Sequence, residues 1–361
     1  QIILPGAGAG RLRTWARYSP WYDLSVLSRR CRMDTESART HKPVESLSGR
    51  VALVFPGQGS QFVGMGKALY DASGAARKVF DQADDVLGFS ITRLCFHGPA
   101  NELEDTINAQ PAILTVSIAA LEALKERLAD AGHKVEPMVV AGHSLGEFSA
   151  LVAAGVIDFP SGLRLVRERG RLMKEAGETN PGGMAAVIGL DASTLADVCN
   201  DASEGDVIIV ANDNCPGQTV ISGEVAALLR AMEMAKSRGA KRVARLGISI
   251  ASHSPLMARA GAGLRDVISG QTLSAPQIPI VANVSGMAMT TVDEVRQELA
   301  HHVERPVNWT RSVAEMVNSG ATTFVEVGPG QILSGLIRRI NREVTTLSLT
   351  DLGLPGDERI N

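Results

Sequence analysis

Pro137-Met138-Val139-Val140-Ala141-Gly142-His143-Ser144-Leu145-Gly146-Glu147 is the stretch from which both the fold and the chemistry of this 361-residue chain can be read. The apolar run 137–141 reads as a buried strand and 147–154 as the opening of a helix, so Gly-x-Ser-x-Gly falls on a strand-to-helix turn. Glycines two positions either side of Ser144 permit a turn too tight for side chains and push the hydroxyl outward. The start of the following helix favours negative charge developing nearby. A hydroxyl so placed is a candidate nucleophile toward an acyl carbonyl. The plainer alternative is a Ser-capped helix with glycines for close packing.

On both sides of this turn strands and helices alternate. Val51-Ala52-Leu53-Val54-Phe55 reads as a continuous apolar strand that ends in the turn Pro56-Gly57-Gln58-Gly59-Ser60-Gln61. Helices are expected over 74–86, 111–128 and 162–176, the last with Leu163, Val166 and Leu172 inward. This is the order of a doubly wound α/β core with a parallel sheet. After Asn180-Pro181-Gly182-Gly183 the rhythm changes to strand 184–188, helix 192–201, strand 207–211, turn 214–217, strand 218–222, helix 225–238 and strand 242–246. That order, β-α-β-β-α-β, predicts a ferredoxin-like unit. The main core resumes with strands 278–283 and 323–327 and a helix over 331–340. The expected organisation is an N-terminal extension at 1–48, a large α/β unit from 49–180 and 248–350, an inserted unit at 181–247 and a tail at 351–361. The cleft between the two units is the natural place for a ligand.

Composition excludes several classes of function. A 45% hydrophobic content over this length supports a large core without help from disulfides or metals. A net charge of -3 with no long basic tract argues against nucleic acid as a partner. Cys31, Cys95, Cys199 and Cys215 show no C-x-x-C spacing, so neither a zinc site nor a disulfide framework is expected, and a reducing, cytoplasmic setting follows. The Ala-rich run 111–124 is short and followed by charge, so it reads as a core helix and no membrane span is expected. The first 33 residues carry Arg11, Arg13, Arg17, Arg29, Arg30 and Arg32 against one acid, Asp23. An organellar transit peptide is one reading of that lead. The reading adopted is a natural start at Met33-Asp34, with the preceding stretch outside the fold.

A nucleophilic Ser needs a general base. His253, in Ile250-Ala251-Ser252-His253-Ser254-Pro255, stands where the inserted unit hands back to the core and is the best base candidate. His41, His97, His133 and the pair His301-His302 lie in polar or terminal contexts typical of solvated residues. His143 adjoins Ser144, with its ring expected to point away.

Separated motifs in this order resemble the malonyl-CoA:acyl carrier protein transacylases, from Val51 to about Leu349. They are Phe55-Pro56-Gly57-Gln58-Gly59-Ser60-Gln61, Gln110-Pro111-Ala112, Gly142-His143-Ser144-Leu145-Gly146-Glu147, Arg167-Glu168-Arg169-Gly170, Asn212-x-Asn214 with Pro216-Gly217-Gln218, Ser252-His253, Pro306-Val307-Asn308-Trp309 and Glu326-Val327-Gly328-Pro329-Gly330. The resemblance implies an α/β-hydrolase-like core with an inserted ferredoxin-like subdomain. It implies Ser144 as the acylated nucleophile and His253 as its base. A backbone carbonyl steadies the imidazole in that family; the matching position here is His302, where the bacterial enzymes carry Gln. The backbone N–H groups of Gln58 and Leu145 correspond to the family's oxyanion hole. Arg169 corresponds to the residue that grips the malonyl carboxylate, although Arg164, Arg167 and Arg171 make its helix one whose charges are usually solvated. Gln110 and Asn212 are expected to line the pocket or order its loops, and the Gly328-Pro329-Gly330 turn to be a structural helix start.

The resemblance implies a ping-pong transfer from malonyl-CoA to the phosphopantetheine thiol of holo acyl carrier protein, with no bound metal or redox cofactor and a monomeric enzyme. Arg171, Lys174, Lys241 and Arg242 are candidates for a basic face toward the acidic carrier. An esterase shares Gly-x-Ser-x-Gly, but no HGGG motif occurs and a neutral ester has no use for Arg169. A non-catalytic carrier-binding module would be expected to lack Ser144 or His253. Leu145 resembles malonyl-specific members, whereas Ile250-Ala251-Ser252-His253 partly matches the Tyr-Ala-Ser-His of methylmalonyl-selective domains; malonyl is the reading adopted.

Overall fold

The structure is a computed structural model and describes residues 47–48 and 50–357. The expectations for residues 1–46, including Cys31, the Arg-rich lead and the Met33 start, lie outside the described residues. In chain order the elements are β1 (Val51–Phe55), α1 (Lys67–Ala72), α2 (Gly74–Leu87), α3 (Ile91–His97), α4 (Ala100–Glu104), α5 (Thr106–Asp130), β2 (Val139–Gly142), α6 (Gly146–Ala153) and α7 (Phe159–Thr179). Next come β3 (Gly182–Ile188), α8 (Ala192–Ser203), β4 (Ile208–Cys215), β5 (Gln218–Glu224), α9 (Val225–Ser237) and β6 (Arg242–Arg245). The chain closes with α10 (Ala258–Ser269), β7 (Ile280–Val281), β8 (Ala288–Met289), α11 (Val292–His301), α12 (Trp309–Asn318), β9 (Thr323–Glu326), α13 (Ile332–Ile340) and β10 (Thr345–Leu347).

The large sheet has the order β8-β7-β2-β1-β9-β10, parallel throughout except for the antiparallel edge strand β8. Its central strands β1 and β2 are buried on both faces, as an apolar run without polar alternation requires. Val51, Leu53 and Phe55 pack with α2, α5 and α7, while Ala52 and Val54 face Trp309 and Met316 of α12 and Leu336 of α13. The expected α/β class with a mainly parallel sheet is therefore observed. The second sheet, β4-β5-β3-β6, is antiparallel, and one of its faces packs against α8 and α9 through Ala185, Val187, Leu195, Leu228 and Ala231. Its other face carries a separate small cluster of Met184, Ala211, Val220 and Leu246.

Boundaries moved where side chains supply what local propensity lacks. Helix α5 begins at Thr106, upstream of the expected start, because Asp105 caps it by accepting the Ile107 N–H at 3.1 Å. Pro111 inside α5 leaves the Ile107 carbonyl without its intrahelical donor. Arg167 fills the gap, donating from Nη1 to that carbonyl at 3.2 Å. By length and composition alone the 25-residue α5 would span a bilayer, but its apolar surface is buried within the protein. Strand β4 continues through the expected turn at 214–215, with register shifts between Val210 and Asn212 and between Asp213 and Cys215. Such bulges bend a strand while keeping it paired. The expected strand 278–283 contracts to β7. Within the expected tail, Leu352 and Leu354 are buried, and the Asp357 carboxylate accepts the Gly66 and Ala68 N–H groups at the start of α1.

Candidate active site

Strand β2 ends at Gly142 and α6 begins at Gly146, leaving Ser144 at the apex with φ 50, a left-handed conformation that costs a non-glycine residue about 1–3 kcal/mol. The flanking glycines are required by contact. A Cβ at Gly142 would run into the Gly146 carbonyl, one at Gly146 into the Phe55 carbonyl, and one at Gly57 into the His143 carbonyl. Gly146→Ala is therefore expected to lower stability by about 1–3 kcal/mol, read as a lower urea midpoint. An unchanged midpoint would mean that the start of α6 can shift at no cost.

Asn283, just past the carboxyl end of β7, holds the turn in place. Its Oδ1 accepts the Ser144 N–H at 2.7 Å and its Nδ2 donates to the Gly142 carbonyl at 2.7 Å. The fully buried Glu147 accepts from the Asn283 main-chain N–H at 3.0 Å and from the same amide side chain. Burial, followed by the nearby Glu298, raises the Glu147 pKa well above the carboxylate range.

Ser144 Oγ lies 2.8 Å from His253 Nε2. His253 also adopts a left-handed backbone, φ 59, and its own N–H bonds the Val303 carbonyl at 2.9 Å. Its Nδ1 faces two main-chain carbonyls, those of His302 and Arg305, each at 3.1 Å. Two acceptors at Nδ1 place the proton there and leave the Nε2 lone pair toward the serine hydroxyl. The His302 carbonyl is the acceptor that the resemblance implies, and the Arg305 carbonyl is a second one. Burial, then the positive charge of Arg169, then His143 push the His253 pKa down to about 3, so the ring is neutral at neutral pH.

Arg169 is only 1% exposed, against the usual solvation of a basic helix. It lies at helical spacing with Leu165, Val166 and Met173 on the inner face of α7. Leu163 is also buried, while Leu172 is half-buried. One Nη of Arg169 donates to Gln110 Oε1 at 2.6 Å, and the other lies 3.2 Å from Ser144 Oγ and 3.5 Å from His302 Nδ1. The Phe148 ring covers the guanidinium at 5.5 Å. Burial lowers the Arg169 pKa to about 9, with the charge of Glu147 opposing, and it remains a cation at neutral pH. Gln110 is fully buried behind Arg169 and does not form the pocket wall, which corrects one half of its expected role.

These groups open into a pocket. It lies where the carboxyl ends of β1 and β2 meet the helix-free face of the small sheet, the usual ligand position in open α/β sheets. Ser144, His253 and Arg169 form its polar end, and Met184, Val220 and Ile248 its apolar side. Asn212 and Asn214, both on the bulged part of β4, also line it. Asn214 Oδ1 lies 2.8 Å from His143 Nε2, and the His143 ring packs against Trp309, beside Ser144 in the pocket lining. Val307 ties the two units together, accepting from the Asp213 N–H and donating to the Ala211 carbonyl. Gln58 lines the pocket, its Oε1 accepting from Thr106 Oγ1 at 3.1 Å. Leu145 stands at the cap of α6, where the first N–H groups have no intrahelical acceptor. Glu326 accepts from the Leu333 and Ser334 N–H groups, so the Gly328-Pro329-Gly330 turn does start a helix, α13.

The basic residues expected to form one face have acidic neighbours in part. Arg171 is paired with Glu168 and Glu175, and Lys174 with Asp105. Arg242 pairs with Ile188 along β3, four residues from pocket-lining Met184, roughly 13 Å at the strand rise. Among the described residues no group of three or more His, Cys, Asp or Glu side chains is placed to hold a metal ion, and Cys95, Cys199 and Cys215 are buried free thiols. Sequence reasoning missed Asn283 and the Glu147 carboxylate. The available signals were a polar residue ending an apolar strand and an acid in the first turn after the serine.

Comparison with known proteins agrees across the whole described core. The family model of the acyl transferase domain matches residues 52–350. The malonyl CoA-acyl carrier protein transacylase of Bacillus subtilis is 43% identical over 303 residues, 84% of this chain and 94% of that relative. The solved structure of the malonyl CoA-acyl carrier protein transacylase from Coxiella burnetii superposes with a TM-score of 0.81 at 38% identity, covering 85% of this chain and 96% of that one. A malonyl-transacylase solved in complex with a type II PKS acyl-carrier protein superposes with a TM-score of 0.80 at 38% identity, covering 84% of this chain and 99% of that one.

Proposed function

The chain belongs to the malonyl CoA-acyl carrier protein transacylases, an acyl transferase family, and from that premise we propose that it moves a malonyl group from malonyl-CoA to the phosphopantetheine thiol of holo acyl carrier protein through an ester on Ser144. The observation that carries this reading is one hydroxyl shared by a neutral imidazole at 2.8 Å and a buried guanidinium at 3.2 Å. In the first half-reaction His253 Nε2 takes the Ser144 proton as Oγ attacks the thioester carbonyl. The tetrahedral oxyanion is received by the backbone N–H groups of Gln58 and Leu145. Collapse breaks the carbon–sulfur bond, and the proton on Nε2 passes to the departing CoA thiolate. In the second half-reaction the pantetheine thiol gives its proton to Nε2 and its sulfur attacks the ester. Ser144 leaves and recovers the proton from Nε2.

Arg169 receives the free carboxylate through two N–H donors, as the fork of a guanidinium favours. Asn212 lines the acyl pocket and Gln110 orders Arg169. The same proposal includes the architectural reading: a hydrolase-like large unit, and a ferredoxin-like insertion supported by its β-α-β-β-α-β order and its own helix-backed core. The boundaries 49–180 with 248–350, and 181–247, go with it; residues 351–357 pack on the large unit.

The test is a competition among malonyl-, methylmalonyl- and acetyl-CoA with holo carrier protein, measuring transfer against hydrolysis. Malonyl transfer is expected to dominate, and equal use of acetyl-CoA would refute the role of Arg169. A second outcome concerns pH. kcat/KM reports ionisations of the free enzyme, and a base with a lowered pKa keeps its lone pair in more acidic solution. The acid limb for acylation is therefore expected well below the ordinary imidazole value of 6.5. A limb at 6.5 would show that burial and Arg169 do not depress His253.

A further inference from the structure

The His302 side chain has a place in the site separate from that of its carbonyl. The ring is 1% exposed and packs edge-on against Phe148 at 5.2 Å. Its Nδ1 lies 3.5 Å from an Nη of Arg169, and its Nε2 lies 3.8 Å from Glu147 Oε2. The imidazole is thus interposed between a buried guanidinium and a buried carboxyl. Three atoms of these side chains, Arg169 Nε, His302 Nε2 and Glu147 Oε1, are buried without a hydrogen-bond partner. Unpaired buried polar atoms are costly, so a guanidinium and a carboxyl left facing one another would close into a direct hydrogen-bonded contact. Closure would draw Arg169 back from Ser144 and from the pocket.

We propose that the His302 side chain is a positioning residue for substrate selectivity: as a neutral acceptor–donor spacer it keeps Arg169 turned toward the pocket and apart from Glu147. Nδ1 accepts from Arg169, while Nε2–H faces Glu147. Burial first, then the charges of Arg169 and His253, hold the ring well below the ordinary imidazole range, which keeps it neutral; the Ser144 main chain acts in the opposite direction. A protonated ring would offer Arg169 no acceptor and would repel it. A glutamine side chain would offer the same pair of functions, one carbonyl acceptor and one amide donor.

The proposal rests on Arg169 as the carboxylate clasp, and the experiment separates the two. Malonyl- and acetyl-CoA are compared by steady-state kinetics in the natural protein and in His302→Leu, His302→Gln and Arg169→Ala, with thermal melting of each. His302→Leu is expected to lower the malonyl-to-acetyl ratio of kcat/KM about tenfold or more, the scale of one hydrogen bond to a charged group, mainly through KM for malonyl-CoA. His302→Gln is expected to lose much less than His302→Leu. The main-chain carbonyl at position 302 remains in both variants, so an effect carried by the side chain stands apart from one on His253. Equal losses for the two substrates, or a glutamine variant as impaired as the leucine variant, would overturn the proposal. If His302→Leu does not fold, His302→Ala removes the same ring nitrogens without added volume and is read in the same way. If Arg169→Ala leaves the ratio unchanged, the clasp itself fails; if Arg169→Ala collapses the ratio and the His302 variants do not, only the spacer role fails.

Discussion

Ser144→Ala is expected to abolish acyl transfer, with kcat falling on the order of a million-fold, the scale seen when a serine nucleophile is removed from a site whose members act as a unit. The site has one hydroxyl at the apex of a strained turn, 2.8 Å from His253 Nε2. Alanine tolerates the same turn no worse than serine, so the fold and the pocket should survive. After mixing with malonyl-CoA, intact-mass measurement should show one covalent malonyl adduct on the natural protein and none on the variant. An adduct persisting on the variant would place the acyl ester elsewhere and end the proposed mechanism. Malonyl-CoA should still bind to the variant, because Arg169 and the apolar wall are unchanged.

Arg169→Ala is expected to lower kcat/KM for malonyl-CoA by roughly 30- to 3,000-fold, corresponding to about 2–5 kcal/mol for truncating one partner of a buried charge pair. Acetyl-CoA has no carboxylate to lose a partner, so its rate should fall far less, and the preference for malonyl should collapse. The pH profile supplies an independent sign. The Arg169 charge is one cause of the low His253 pKa, so its removal should move the acid limb of acylation upward, though burial, the larger cause, remains. Arg169→Lys retains the charge without the fork and should recover only part of the loss. A malonyl-to-acetyl ratio unchanged in Arg169→Ala would remove the clasp from the mechanism.

The two outcomes differ in how legible their residues are. Ser144 is announced by its neighbours, since the glycine spacing is a local requirement of the turn. Arg169 is one of several arginines on one helix, and charge alone gives no reason to select it. Helical spacing does, because Arg169 shares an inner face with Leu165, Val166 and Met173, whereas Arg167 is spent on the Ile107 carbonyl that Pro111 leaves free. Charge alone is an equally poor guide to the expected basic face. A positive side chain in a sequence says nothing about the carboxylate beside it, and Glu168, Glu175 and Asp105 occupy Arg171 and Lys174.

Local order was determined by the sequence by itself: apolar runs that must be covered on both faces, a change of rhythm after Gly183, and a glycine-flanked serine between a strand and a helix. These depend on periodicity and backbone sterics, which operate over a few residues. Tertiary structure alone decided which distant groups meet. Ser144 finds its base 109 residues away and its amide anchor, Asn283, 139 residues away, and Arg169 finds His302 133 residues away. Contacts at such separations are selected by sheet order and by the packing of two units, and the pKa values of His253 and Glu147 follow from the resulting burial, which no window of sequence contains.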